Sequence, residues 1–250
     1  METILLYALV GFIAQLIDGA LGMAYGVSSN SFLLSAGVPP AMASASVHIA
    51  EMFTTGISGL MHFRLGNVDP EILKRLIIPG VLGGALGAYV LTTIPSDIIK
   101  PLVSIYLLIM GIRILLKVWK KLEIHNREPS HWFIPLGLVG GFLDAIGGGG
   151  WGPIVTTTLV ASGRLPHKMI GSVNASEFFV TVAESVAFIL TLGSTLGEYW
   201  QIVLGLLSGG VLAAPLAAYV CRKLPRRLLM AMVGILIILL SLRTLYLVWF

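Results

Sequence analysis

The sequence predicts an all-α polytopic membrane protein. Two inverted-topology repeats of about five helical segments each should build it, with broken or hairpin helices at Gly-rich motifs. Three observations carry that prediction. First, apolar residues are 56% of the 250 positions and charged residues only 11%, at a mean hydropathy of +0.93. A soluble domain carries about 25% charged residues. Second, residues 11–55 reappear at 137–181 without a gap, with twelve identities, among them Asp18/Asp144, Gly22/Gly148, Gly26/Gly152, Ser46/Ser172, Glu51/Glu177 and Thr55/Thr181. Tyr25 falls on Trp151 and His48 on Asn174, and an offset of 130 aligns Gly80-Val81-Leu82 with Gly210-Val211-Leu212. Third, the basic residues segregate into alternate loops.

The segments follow from Pro, Gly and charge punctuating the apolar runs. The stretches 4–18 and 22–36 are short and flank Asp18-Gly19-Ala20-Leu21-Gly22. The stretches 131–146 and 150–163 flank Asp144-Ala145-Ile146 and the four glycines that follow. Each pair reads as a tight hairpin or a re-entrant loop that enters and leaves on one side. The runs 40–62, 70–92, 97–118, 166–192, 199–221 and 226–249 each reach the roughly 20 residues that cross a hydrocarbon core. A β-barrel would alternate in short segments, whereas 228–242 is continuously apolar. The first run lacks a basic leader and reads as a membrane segment rather than a cleaved signal. The domain boundaries are therefore 1–118 for the first repeat, 119–130 for a cytoplasmic linker and 131–250 for the second.

Charge tests this topology. With each hairpin counted as no net crossing, fourteen of the sixteen Lys and Arg fall on one face, and only Lys100 and Arg243 lie toward the other. The positive-inside rule makes that face cytoplasmic and sets both termini outside. The first half then begins outside and the second inside, so the repeats are inverted. In such folds the binding site lies near the midplane, where broken helices of the two halves meet.

Five of the twelve acids fall inside the spans: Asp18, Glu51, Asp144, Glu177 and Glu184. An ionisable group costs at least ~2.5 kcal/mol to insert, so it faces the interior and has partners. His48 stands three residues before Glu51 on one helical face, and Asn174 and Glu177 repeat the spacing with Ser172 nearby. Glu51, Glu177, Asp18 and Asp144 are candidates for proton coupling or for bracing the breaks. Glu184 faces only Ser58 in the other copy and reads as near the outer surface, outside the site. At 147–150 four residues lack Cβ, and Pro153 suits the first turn of a new helix. Helix N-termini offer unpaired N–H groups and a positive dipole end. Two such ends could hold an anion without a buried Lys or Arg, and no span has one at its middle. Asp18 and Asp144 can instead cap those ends. Tyr25 and Trp151 either close over a ligand or pack in the core. The candidate substrate-binding set is Gly22, Tyr25, His48, Gly148, Gly149, Trp151, Ser172 and Asn174.

The paired motifs Asp18-Gly-Ala-Leu-Gly-Met-Ala-Tyr-Gly26 and Asp144-Ala-Ile-Gly-Gly-Gly-Gly-Trp-Gly-Pro153, with the turns 37–40 and 163–166, resemble those of the TauE/SafE (TSUP) sulfite-exporter family. The resemblance covers essentially the whole chain. It implies an inner-membrane carrier of sulfur-containing anions such as sulfite, thiosulfate or organosulfonates, with export the usual direction. The first break has Val27 where the second has Pro153, so the two half-sites are unequal.

The functional expectation is a secondary transporter in the cell (inner) membrane, working by alternating access on a small anionic substrate. The alternatives are an anion channel and an intramembrane metal-dependent enzyme. The latter lacks a His-Glu-x-x-His motif, and the second copy replaces His48 by Asn174. No enzyme activity, cofactor, metal or nucleic-acid partner is expected. The lipid bilayer is the surrounding partner, and a homo-oligomer stays open. The single Cys221 excludes an intrachain disulfide.

Overall fold

A computed structural model describes residues 2–21, 23–118, 132–161, 166–223 and 226–249. Gly22, the 119–130 linker and most of the 163–166 turn lie outside the described residues. Every regular element among the described residues is helical. The order is α1 (Glu2–Leu21), α2 (Tyr25–Ser35), α3 (Pro40–Arg64), α4 (Pro70–Thr93), α5 (Ser96–Lys117), α6 (Phe133–Gly147), a π-helical turn (Gly152–Thr156) running into α7 (Thr157–Ala161), α8 (Pro166–Leu192), a 3-10 turn (Gly193–Tyr199), α9 (Trp200–Lys223) and α10 (Arg226–Trp249).

The six long runs fold as six long helices, displaced by no more than two residues at either end. Pro70–Thr93, Ser96–Lys117 and Met230–Trp249 are long and apolar enough to cross a membrane, as is the stretch Lys168–Ala214 that runs from α8 through the 3-10 turn into α9. Phe133–Gly147 is a shorter apolar helix. The first hairpin differs from two equal short arms. α1 has 20 residues, about 30 Å of helix, whereas α2 has 11, about 16 Å. The helix continues past Asp18, whose carboxylate accepts from the Tyr25 N–H at 3.4 Å.

Large apolar side chains face outward. Leu5, Ile78, Ile134, Leu190 and Leu212 are among the most exposed, while Ser44, Ser46, His48, Asn30, Ser176 and Glu184 are buried. This distribution suits a lipid solvent, in which the outer face is apolar and polar groups turn inward. Helices approach through small residues. Gly11 of α1 lies on the Leu206 backbone of α9, and Gly209 on Ala8. Gly83 of α4 lies on Leu138 of α6, and Gly141 on Gly80. Such contacts replace the hydrophobic drive that lipid does not supply.

The main pairings are α1 with α9, α4 with α6, α3 with α8, α4 with α8 and α5 with α10. The sequence repeat equates α1 with α6 and α4 with α9, so the first two pairings are the same contact made twice. α3 and α8 run antiparallel: His48 meets Glu184, Thr55 meets Thr181 and Gly59 meets Ala175. Thr55 and Thr181, the same position in the two copies, have hydroxyls 3.5 Å apart.

Candidate functional site

The two breaks are built alike. In the second, α6 ends where Gly148 takes φ +65° and Gly149 φ +150°, and the Gly149 N–H returns to the Asp144 carbonyl at 3.0 Å. The Asp144 Oδ1 accepts from the N–H groups of Gly150 and Trp151, the latter at 2.9 Å. In the first, Asp18 Oδ1 accepts from the Tyr25 N–H, and Ala24 is left-handed at φ +98°. Both aspartates thus meet the positive end of the next helix. One consequence runs against a bare-amide anion site. At the second break two of the N–H groups already face a carboxylate of the protein itself.

The breaks also touch each other. A Cβ on Gly26 would strike the Gly148 carbonyl and the Gly149 Cα, and one on Gly149 would strike Gly26 and Val27. Only glycine permits this backbone contact. Asn30 fastens it by donating from Nδ2 to the Gly147 carbonyl at 2.5 Å. Both aromatics are core groups. The buried Tyr25 hydroxyl donates to the Leu206 carbonyl at 3.1 Å, and the buried Trp151 Nε1–H to the Val173 carbonyl at 3.2 Å.

His48 lies in a closed polar cluster. Its Nδ1 is 2.7 Å from the Ser44 carbonyl. Its Nε2 is 3.0 Å from Glu184 Oε2 and 3.8 Å from Asp144 Oδ2. The Ser44 hydroxyl donates to the Ala145 carbonyl at 2.5 Å, tying α3 to the end of α6. Glu184 is fully buried, not near the outer surface as its lack of a repeat counterpart suggested. Gly84 of α4 leaves room for its carboxylate, since a Cβ there would overlap Glu184. The missed signal was helical spacing. Glu184 stands seven residues after Glu177, hence on the same face of α8.

The structure does not gather all the predicted residues. Asn174, the counterpart of His48, lies beside Gly59. Gly59 is eleven residues along α3 from His48, roughly 16 Å of helix. Ser172, in α8, packs against the turn before α4: its hydroxyl accepts from the Asp69 N–H at 2.7 Å and donates to the Lys168 carbonyl at 2.8 Å. Glu51 and Glu177 are buried, and Thr55 donates to the Glu51 carbonyl at 2.7 Å. Sequence reasoning placed a segment at 22–36 but missed the buried polar run of α2. Ser28, Ser29, Asn30 and Ser31 are all buried, and the three hydroxyls and the Asn30 Oδ1 have no hydrogen-bond partner among the described residues. A polar run opening a helix after a break was the available signal.

Comparison with known proteins decides what this arrangement belongs to. The sequence profile described as Sulfite exporter TauE/SafE matches residues 7–244. The chain belongs to the TauE/SafE family. It is therefore a membrane transporter and not an enzyme, and the apolar helices make it a multi-pass one. It is 44% identical to the "Probable membrane transporter protein YtnM" of Bacillus subtilis (strain 168), across all of this chain and 85% of that one. It is 26% identical to the "Probable membrane transporter protein ORF9" of Sinorhizobium sp, over 87% and 89% of the two chains. It is 27% identical to a "Probable membrane transporter protein" of Haemophilus influenzae (strain ATCC 51907 / DSM 11121 / KW20 / Rd), over 95% and 92%. No solved structure matches the chain significantly.

Proposed function

We propose that this TauE/SafE transporter is a secondary carrier of a small sulfur-containing anion, acting by alternating access in the cell's inner membrane with both termini outside. The observation that carries the reading is the meeting of the two glycine breaks, one from each sequence repeat, inside a buried polar region. The antiparallel α3 and α8, touching at equivalent threonines, are what inverted repeats at 1–118 and 131–250 would give. The buried hydroxyls of Ser28, Ser29, Ser31 and Ser46 are donors suited to sulfonate or sulfite oxygens. They are the proposed ligands, since Asn174 lies apart, His48 faces Asp144 and Glu184, and the Gly148 and Gly149 N–H groups already return to the Asp144 carbonyl. Tyr25, Trp151 and Ser172 hold the surrounding helices.

Anion export from a cell negative inside is favoured by about 2.3 kcal/mol per charge per 100 mV and needs no coupling ion. Import needs a cation, and the buried Glu51 and Glu177 are the acids placed to carry protons. Flux of labelled sulfite, thiosulfate or sulfoacetate into proteoliposomes under an imposed potential tests the reading. The carrier predicts flux that saturates with substrate and reverses with the potential. Non-saturating flux makes the protein a channel, and absence of flux with every sulfur anion removes the cargo assignment.

A further inference from the structure

The polar centre contains an arrangement that anion transport does not use. His48 Nδ1 and the Ser44 carbonyl are 2.7 Å apart, so the ring donates its proton there. In the neutral imidazole this leaves the Nε2 as a lone pair. That lone pair faces Glu184 Oε2 and Asp144 Oδ2, two further electron-pair donors. Nε2 of His48, Oδ2 of Asp144 and both carboxylate oxygens of Glu184 lack a hydrogen-bond partner among the described residues. His48 and Glu184 are fully buried and Asp144 is 1% exposed. Three converging donors in a medium of low dielectric need a positive occupant.

We propose that His48, Asp144 and Glu184 bind a divalent transition-metal ion across α3, α6 and α8. All three donor atoms lie within 4.8 Å of one another. Donors about 2.0–2.1 Å from a tetrahedral ion stand roughly 3.3 Å apart, between the 3.0 Å and 3.8 Å found here. One imidazole nitrogen and two carboxylate oxygens suit zinc, cobalt or iron better than magnesium or calcium, which take oxygen alone. The supporting bonds have the form of an outer ligand shell. The Ser44 carbonyl fixes the His48 tautomer, and the break amides orient Asp144. No metal motif appears in the sequence because the three ligands come from three helices. Two of these helices belong to the second repeat and one to the first, so the ion ties the halves together. It neutralises two carboxylates where an anion would otherwise meet negative charge. The site stands whatever the cargo proves to be.

The test uses the full chain in detergent, without an affinity tag, stripped with a chelator and titrated with Co²⁺. Optical absorption, metal content and thermal midpoint are read without any substrate. The expected result is about one ion per chain, a visible Co²⁺ band displaced by Zn²⁺, and a raised midpoint. Glu184→Gln and Asp144→Asn keep size and should weaken binding by at least roughly 100-fold while the protein stays monodisperse. X-ray absorption of the wild-type zinc form should show one imidazole with oxygen ligands, which needs no variant to fold. Folded wild type that binds no ion overturns the proposal, and His48 is then the protonated partner of Glu184. Binding unchanged in both variants also overturns it, by placing the ion elsewhere. Neither outcome touches the anion reading, whose flux assay is run separately.

Discussion

At Gly149 two constraints coincide: a φ of +150° and backbone from the opposite break against the missing Cβ. Gly66 has a φ of +69° with nothing within 4 Å of its missing Cβ. The pair separates conformation from contact. Gly66→Ala should cost about 1 kcal/mol for the left-handed backbone alone, and Gly149→Ala about 3 kcal/mol or more. Thermal midpoints in detergent check the order, and equal losses would mean that the breaks do not press together. Asp144 invites a second comparison. Asp144→Ala removes the acceptor for two amides and should cost about 1–2 kcal/mol, whereas Asp144→Asn keeps a carbonyl oxygen there and should retain most of that. At this scale the sequence was informative where the repeat preserved a residue. Asp18 and Asp144 cap the breaks as their position before new helices allowed. Glu184 was lost because it has no counterpart in the first copy, and its partner His48 lies 136 positions earlier in the chain. No local pattern announces such a contact.

Among the elements, punctuation by Pro, Gly and charge located the long helices because lipid leaves the backbone few alternatives. α3 shows the limit of hydropathy. It is 25 residues long, but Ser44, Ser46, His48, Glu51, Thr54 and Thr55 face inward and keep it out of the apolar class. α1 ran longer than its punctuation suggested, since an aspartate that caps the following helix need not end its own. The antiparallel contact of α3 with α8 makes a prediction of its own. With Cys221→Ser as background, Thr55→Cys and Thr181→Cys together should form a disulfide under mild oxidation. A cut in the central linker then leaves the halves joined on non-reducing gels. Two separate halves would show that these helices do not meet at equivalent positions.

For the whole molecule, the proposed opposite orientation of the halves rests on duplication and charge bias together, and on neither alone. Reporter domains fused at either terminus should both be active outside the cell. One inside and one outside would break the inverted arrangement. The sequence could show that the breaks exist in both halves, but not that Gly26 and Gly149 would touch or that Asn174 and His48 would lie apart. Those follow from how α3 crosses α8. The claim on which the account turns is that the polar centre takes a sulfur anion. The most direct test is the thermal midpoint of purified protein, in chelator, against sulfite, thiosulfate, sulfoacetate and matched carboxylates, since a ligand that binds only the folded state raises it. The account predicts a saturable rise with one or more sulfur anions that weakens in Ser28→Ala and Ser31→Ala. A rise with carboxylates alone, and none with any sulfur anion, would contradict it.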